Sequence, residues 1–224
     1  MDKQKHDNSP ETGLDDGLVK RWAGVPTTII SDMRQHQGIL DPGISLQTPD
    51  DAPVAFAGRA VVALCPAPDF GAVVHAVDLA GPGDVLVIAA GADRTTAMIG
   101  DVLCSHLADK GVIGVICDGM IRDLGDLRRR PSFPVYARGA TPNGPTGKTG
   151  GQVNSAAELG GVQVQPGDLI VGDEDGVAVL SPAAAAELID AMEAALSREA
   201  GWRKRLAAGD SLCNVLGVDA LSAS

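Results

Sequence analysis

Residues 114–130 read GVICDGMIRDLGDLRRR and set a guanidinium beside a carboxylate at Arg122 and Asp123. An apolar run ends in Asp118-Gly119 and hands the chain to this pair. Both side chains therefore arrive at the C-terminal end of a strand, where open α/β sheets carry their sites. Arg122 offers a planar fork of donors that suits a carboxylate. Asp123 offers hard oxygens suited to Mg²⁺ or Mn²⁺, ions that take one or two protein carboxylates and complete their shells with water and substrate. Together the two would chelate a 2-oxo acid, with the ion on the keto and carboxylate oxygens and the guanidinium alongside. An exposed ion pair worth ~0–1 kcal/mol is the competing reading, and these two residues alone do not decide between them.

Upstream, GADRTTAMIGDVL (91–103) carries a second candidate. Gly100 lets the backbone approach another group closely. The N–H groups of Asp101, Val102 and Leu103 would face an anion if a helical turn began there. A mid-helix glycine used for close packing is the alternative.

Other chemistry-bearing residues fit plainer roles. His6 lies in a polar N-terminal stretch, and His36, His75 and His106 fall in helical stretches with no HExxH or paired-histidine spacing. The arginines of DLRRR (126–130) read as a solvated face that suits a helix C-terminus. GDEDG (172–176) lacks the ligand register of a calcium loop and reads as a hairpin turn. Cys65, Cys104, Cys117 and Cys213 show no CxxC spacing and lie mostly in apolar runs, a pattern of reduced thiols that suits a cytoplasmic protein.

The elements that must position Arg122 and Asp123 follow from periodicity. Residues 14–36 read as two helices broken near Gly24-Val25-Pro26, with Thr27 or Thr28 placed to cap the second. VAFAGRAVVAL (54–64), DVLVIAA (84–90) and VIGVIC (112–117) read as strands. Between them, residues 69–80 and Arg94 to Lys110 read as helices. A short helix to Arg130 and the strand FPVYARG (133–139) follow, then a loop over 140–151 rich in glycine and proline. Antiparallel strands fill 161–180, and a long helix over 182–206 opens on Pro182. The alternation argues for an α/β core with some parallel pairing. Pro82-Gly83-Asp84-Val85-Leu86-Val87 recurs as Pro166-Gly167-Asp168-Leu169-Ile170-Val171, either as repeated turn chemistry or as structural near-symmetry.

Composition narrows the function classes. The 224 residues are 45% hydrophobic, enough for a sizeable core. Eighteen basic against 29 acidic residues give a formal charge of −11, which repels polyanions, and 3% aromatics leave few stacking platforms, so nucleic acid is not an expected partner. The N-terminus MDKQKHDNSPETG has no apolar segment. It reads as a disordered arm over residues 1–13, neither signal peptide nor membrane span.

Gly100-Asp101-Val102-Leu103 followed by GVIGVICDGMIRDLGDLRRRPSFPVYARGATP (111–142) resembles the signature of the 4-hydroxy-4-methyl-2-oxoglutarate/4-carboxy-4-hydroxy-2-oxoadipate aldolase family. These are divalent-metal pyruvate aldolases that share a fold with the regulator of ribonuclease E activity A (RraA). The likeness runs from about Thr27 to the terminal helix, and its specific elements lie in 81–142. It implies a single layered β/β/α, swivelling-domain-like α/β domain over residues 14–224, with N-terminal helices and a long C-terminal helix. It implies a homotrimer or a pair of trimers, because the family builds its site across subunit boundaries.

Residue by residue, the resemblance puts the substrate carboxylate on the backbone of Gly100, Asp101, Val102 and Leu103. It puts Arg122 on the substrate oxygens and enolate, and Asp123 directly on Mg²⁺ or Mn²⁺. Asp32 and Glu199 match acidic residues lent to the metal's water shell, Asp32 by a neighbouring subunit, and Lys148 matches a lysine beyond the ARG strand. The implied reaction is cleavage of a 4-hydroxy-2-oxo diacid through a pyruvate enolate, with a metal-associated water as base and oxaloacetate decarboxylation as a side activity. Two alternatives stand beside it: a lyase for another 2-oxo acid, and a non-catalytic RraA-like regulatory binding protein. Regulator-type members typically lack the metal-binding aspartate that this chain keeps at Asp123, which favours the enzyme.

Overall fold

The computed structural model describes residues 14–48, 54–130 and 132–219; the arm expected over residues 1–13 lies outside them. Asp15 caps α1 (Asp16–Trp22) by accepting the Leu18 N–H at 2.7 Å. Helix α2 (Thr27–Met33) follows Pro26, and neither Thr27 nor Thr28 caps it. Asp173, 146 residues away, does so instead, accepting the Thr27 N–H at 2.7 Å and its hydroxyl at 2.6 Å. A tertiary carboxylate has replaced the local cap.

After the short edge strand β1 (Ser45–Leu46), strand and helix alternate as periodicity predicts: β2 (Ala55–Leu64), α3 (Gly71–Leu79), β3 (Asp84–Ala89). The helix expected from Arg94 differs. Residues Ala97–Ile99 form strand β4, and α4 (Asp101–Asp109) starts only after Gly100. Then come β5 (Gly114–Cys117), β6 (Met120–Ile121), α5 (Leu124–Leu127) and β7 (Val135–Ala137). Beyond the glycine- and proline-rich loop lie β8 (Gln152–Val153), β9 (Ala157–Leu159), β10 (Val162–Val164), and the hairpin of β11 (Leu169–Asp173) with β12 (Gly176–Leu180). Ser181 and Pro182 open the long helix α6 (Pro182–Ala207), and the short helix α7 (Leu212–Leu216) follows it.

The main sheet runs β1-β7-β5-β3-β2-β11-β12, with β8 also paired to β2. Strands β2, β3, β5 and β7 are mutually parallel, while β1, β8 and β11 join antiparallel. Successive residues point to opposite faces. Leu86, Ile88, Val115 and Cys117 pack under α3 and α4, while Leu169, Val171, Ala178 and Leu180 pack under α1, α2 and α6. On the other face Val85, Val87, Ile116, Tyr136 and Ile170 meet Ala157, Leu159 and Val164 of the antiparallel β9–β10 pair. The layers are therefore helices, main sheet and small sheet, the β/β/α arrangement.

The repeated Pro-Gly-Asp turns meet at one place. Gly83 and Gly167 have φ of 80° and 82°. Asp84 and Asp168 each accept an N–H three residues back, from Gly81 and Gln165, both at 2.8 Å. Both strands start opposite Arg59 of β2, one running parallel and the other antiparallel to it. The turn recurs while the strand direction reverses, so turn chemistry accounts for the repeat.

Candidate functional site

The Arg122–Asp123 pair sits at the end of a further two-stranded sheet, formed by β4 and β6. Past β5, β6 pairs in parallel with β4, placing Ile121 beside Ile99, and the Arg122 N–H donates to the Ile99 carbonyl at 3.1 Å. Chain 139–141 closes the other side of β6: Ile121 donates to Gly139, and Thr141 donates back to Ile121. Held on both sides, β6 delivers Arg122 and Asp123 in a fixed register. Asp123 then turns the chain at φ 59°, ψ 33°, a left-handed conformation that aspartate enters more readily than most residues. Its carbonyl accepts the first α5 amides, from Asp126 at 2.9 Å and Leu127 at 3.0 Å.

Gly100 is the N-cap of α4 and presses against this turn. A β-carbon there would lie 2.4 Å from Asp123 Oδ2 and 2.8 Å from Arg122 Cγ. Its φ of −150° is ordinary extended backbone, so close approach alone demands glycine. The mid-helix alternative is thereby set aside. Asp101 donates its N–H to Asp123 Oδ2 at 3.2 Å, while the Val102 and Leu103 amides have no acceptor within the described chain. They point out of the positive end of a nine-residue helix. Arg122 Nε lies 3.7 Å from Asp123 Oδ2, the two side chains being 47% and 41% exposed, a separation that leaves both free to face a ligand.

Two clefts flank the pair. One, of about 250 Å³, is walled by Phe70, Met98, Ile99, Leu103 and Pro145; the other, of about 380 Å³, by Ala140, Thr141 and Pro142. Arg122 and Asp123 line both. Among the lining side chains these two alone are charged.

The loop that supplies Pro142 and Pro145 is pinned at several points. Asn143 donates its side-chain N–H to the Thr95 carbonyl at 3.2 Å, and Ala97 of β4 donates to the Asn143 carbonyl at 2.8 Å. Phe70 donates to Gly147, and the Asp69 carboxylate accepts from Gly71 and Thr149. These backbone bonds, led by that from Gly71, hold the Asp69 carboxyl below the usual carboxylate range. At Gly144 a β-carbon would lie 2.4 Å from Arg122 Nη1, so this glycine makes room for the guanidinium. Neither Gly144 nor the apolar walls Phe70 and Pro145 stood out in the sequence, because their role depends on a loop folding back over α3.

A buried ion pair anchors the turn that precedes the site. Asp118 accepts from Arg138 Nε and from the Gly160 N–H, and Arg138 also reaches Asp41 at 3.0 Å. Burial disfavours the charged Arg138, and its hydrogen bonds to Asp118 and Asp41 outweigh that and raise its pKa. Burial pushes the Cys65 thiol up to about 11 and the Cys104 thiol up to about 12, which disfavours their thiolates.

The structure thus brings Gly100, Asp101, Val102, Leu103, Arg122 and Asp123 together. The other expected residues stand apart. Asp32 lies on α2 and Glu199 on α6, helices that cover the β11–β12 half of the sheet, and Glu199 pairs with Arg203 at 3.3 Å. Lys148 lies on the pinned loop, its carbonyl against Gly71, and lines neither cleft. Arg130, read as part of a solvated face, instead bonds Asp101 and Ser105.

A cation here would meet one carboxylate with an open side. Among the described residues no three His, Cys, Asp or Glu side chains converge on a metal position. That is not the donor set of a closed zinc site. It fits a hard ion that keeps water and takes substrate oxygens.

A family model described as RraA-like, Aldolase/RraA, matches residues 26–179. A Halalkalibacterium halodurans protein provisionally named as a 4-hydroxy-4-methyl-2-oxoglutarate aldolase is 38% identical over 73% of this chain and 76% of its own. Among solved structures, the RNA-processing inhibitor RraA from Thermus thermophilis matches with a TM-score of 0.62 at 29% identity, covering 70% of this chain and 92% of that one. An uncharacterized Pseudomonas syringae protein shares the fold at a TM-score of 0.80 and 22% identity, over 92% of this chain and 95% of that one.

Proposed function

The chain belongs to the RraA-like family, aldolase/RraA, and from that premise we propose that it is a divalent-metal-dependent pyruvate aldolase. The proposed substrate is a 4-hydroxy-2-oxo diacid such as 4-hydroxy-4-methyl-2-oxoglutarate, with oxaloacetate decarboxylation as a side activity. The observation that carries this reading is the contact of Gly100 with Asp123 and Arg122, which joins an open helix N-terminus to a guanidinium and a single carboxylate. The names of the relatives at 36–38% identity support it.

Asp123 would hold Mg²⁺ or Mn²⁺, which supplies a Lewis acid for negative charge developing on the 2-oxo oxygen. The Val102 and Leu103 amides receive the C1 carboxylate. Arg122 places its fork against the same end of the molecule and stabilises the enolate that forms when the C3–C4 bond breaks. The bonding pair of C3–C4 moves onto the pyruvate half, and the 4-hydroxyl becomes the carbonyl of the departing keto acid. Its proton leaves to water, because of the side chains lining the two clefts only Asp123 could accept one, and that carboxylate would hold the cation. Phe70, Met98, Ile99 and Pro145 limit water around the enolate end. Asp32 and Glu199, remote from Asp123 within one chain, contribute from a neighbouring copy in a homotrimer or pair of trimers.

Pyruvate release from oxaloacetate and from 4-hydroxy-4-methyl-2-oxoglutarate, measured with Mg²⁺ or Mn²⁺ and again with a chelator, tests the reading. Release that the chelator abolishes is expected from both. The likeness to the RNA-processing inhibitor favours one other reading, a non-catalytic regulatory protein. No metal-dependent release from either substrate would leave that reading standing. Release from oxaloacetate alone would point to a lyase for another 2-oxo acid.

A further inference from the structure

We infer that Asp69 is a positioning residue for Arg122: its carboxylate seats the loop 144–150 on the start of α3 and so fixes the wall against which the guanidinium lies. This rests on the function proposed above. Arg122 needs such a wall. Among the described residues no hydrogen bond holds its guanidinium, and Asp123 stands 3.7 Å from Nε. Its direction is set sterically by Gly144, where a β-carbon would overlap Nη1. An arginine without that wall spreads over several rotamers, and ordering it again costs binding energy.

A short path joins Asp69 to that wall. Asp69 Oδ1 accepts the Gly71 N–H at 2.8 Å, and Oδ2 accepts the Thr149 N–H at 3.2 Å. A β-carbon at Gly147 would overlap Asp69 Oδ2, and one at Gly150 would lie 3.1 Å from Cγ, so the loop wraps the carboxylate closely because it lacks side chains there. Phe70 donates to the Gly147 carbonyl at 3.1 Å and Ala72 to that of Gly150 at 3.0 Å, which ties the same turn to the first residues of α3. The groups that hold the Asp69 carboxyl low are backbone amides, led by Gly71, so the loop is bound to a charge through its main chain. From Gly147 back to Gly144 the chain spans at most ~11 Å, and Pro145 stiffens it. A shift at Asp69 is therefore passed to Gly144 and on to Arg122. Asn143 anchors the other end at Thr95 and Ala97, so without the Asp69 seat the loop stays on the molecule but no longer closes to the same depth.

Asp69→Asn isolates the loop contact. The carboxylate serves its two donors with two oxygens, whereas an amide has one. With that oxygen kept on Gly71, the NH₂ group faces the Thr149 N–H and the seat of the loop is lost. Calorimetric titration with oxalate, a planar dicarboxylate that mimics the enolate end, in excess Mg²⁺ is expected to show binding weakened about tenfold. Mn²⁺ titrated alone should bind within about twofold of the unaltered protein, since β6 and not the loop delivers Asp123. In an Arg122→Lys background, whose ammonium does not depend on the wall, adding Asp69→Asn should cost less than about twofold in oxalate binding. Unchanged oxalate binding in Asp69→Asn overturns the inference. So does a loss of the same size in the Arg122→Lys background, or an equal loss of Mn²⁺ affinity, because Asp69 would then be a structural tie alone. Should Asp69→Asn fold poorly, Gly147→Ala serves with the same expectations: its methyl group displaces the same carboxylate from the loop side, at a φ open to alanine. Unaltered protein that binds oxalate but releases no pyruvate counts against the proposed reaction alone. Unaltered protein that binds no oxalate in Mg²⁺ overturns both.

Discussion

Arg122 and Asp123 stand 3.7 Å apart and about half exposed, a geometry in which an ion pair contributes little to folding. Their substitution should therefore be felt in turnover and hardly in stability. Asp123→Asn keeps a residue that tolerates the left-handed turn and removes the charge. Metal-dependent pyruvate release is expected to fall about 100-fold or more, with the thermal midpoint shifted by no more than about 4 °C. Asp123→Ala should lose as much activity and, in addition, about 1 kcal/mol of stability from the φ of 59°. Arg122→Lys is expected to lose about 100-fold, because an ammonium cannot reproduce the fork. Gly100→Ala completes the set: its φ is acceptable to alanine, so any lost activity comes from the methyl group displacing Asp123 Oδ2. An unchanged rate in Asp123→Asn would make that carboxylate structural.

The two Pro-Gly-Asp turns show what a repeated motif does at the level of elements. Burial holds the Asp84 and Asp168 carboxyls above the usual carboxylate range, offset only partly by the Gly81 N–H, Arg59 and Lys110 at Asp84 and by the Gln165 N–H at Asp168. A raised folded value means that each group stabilises the fold fully below its unfolded value of ~4, and that this contribution is lost as pH rises through the folded value. Burial disfavours the ionised form at both turns, and the useful work of each carboxyl, accepting an N–H, an amide oxygen does as well. Asp84→Asn and Asp168→Asn are therefore expected to unfold at the same or higher denaturant concentration at pH 7, with the gap closing near pH 4. The alanine variants should lose about 1 kcal/mol with the turn bond. Equal losses for asparagine and alanine would show that the charge itself is needed.

The same level shows what the sequence made legible. The long apolar runs of β2, β3 and β5 and the strong period of α6 were readable because local pattern and tertiary environment agree. Strand β4 was not: Ala97-Met98-Ile99 suits a helix equally well, and only pairing with β6, more than twenty residues on, makes it extended. The cap of α2 was hidden for the same reason, since Asp173 supplies it from the far hairpin. At the site, Gly100, Arg122 and Asp123 were legible as types at a spacing. Arg130 looked like one of three solvated arginines, because its partner Asp101 is brought to it by the packing of α4 against α5.

Across the whole molecule, the helices form two groups on one face of the sheet. Helices α3 and α4 stand beside the candidate site, and α1, α2 and α6 stand over β11 and β12. Asp32 and Glu199 belong to the second group and line neither cleft, which agrees with the proposal that they act from a neighbouring copy. A cyclic assembly would bring them to that site through a heterologous interface. Two inactive variants then become complementary. Asp123→Asn lacks the cation ligand and keeps the lent residues, while the double variant Asp32→Asn, Glu199→Gln keeps the ligand and lends nothing. Each alone should release pyruvate at a small fraction of the normal rate. Co-refolded in equal amounts, one site in about four would combine an intact Asp123 with an intact neighbour, and about a quarter of the normal rate should return. Light scattering on the same samples checks that the assembly is a trimer or a pair of trimers. Mixtures no more active than the separate variants, at unchanged mass, would place the whole site within one chain and leave Asp32 and Glu199 without a catalytic part.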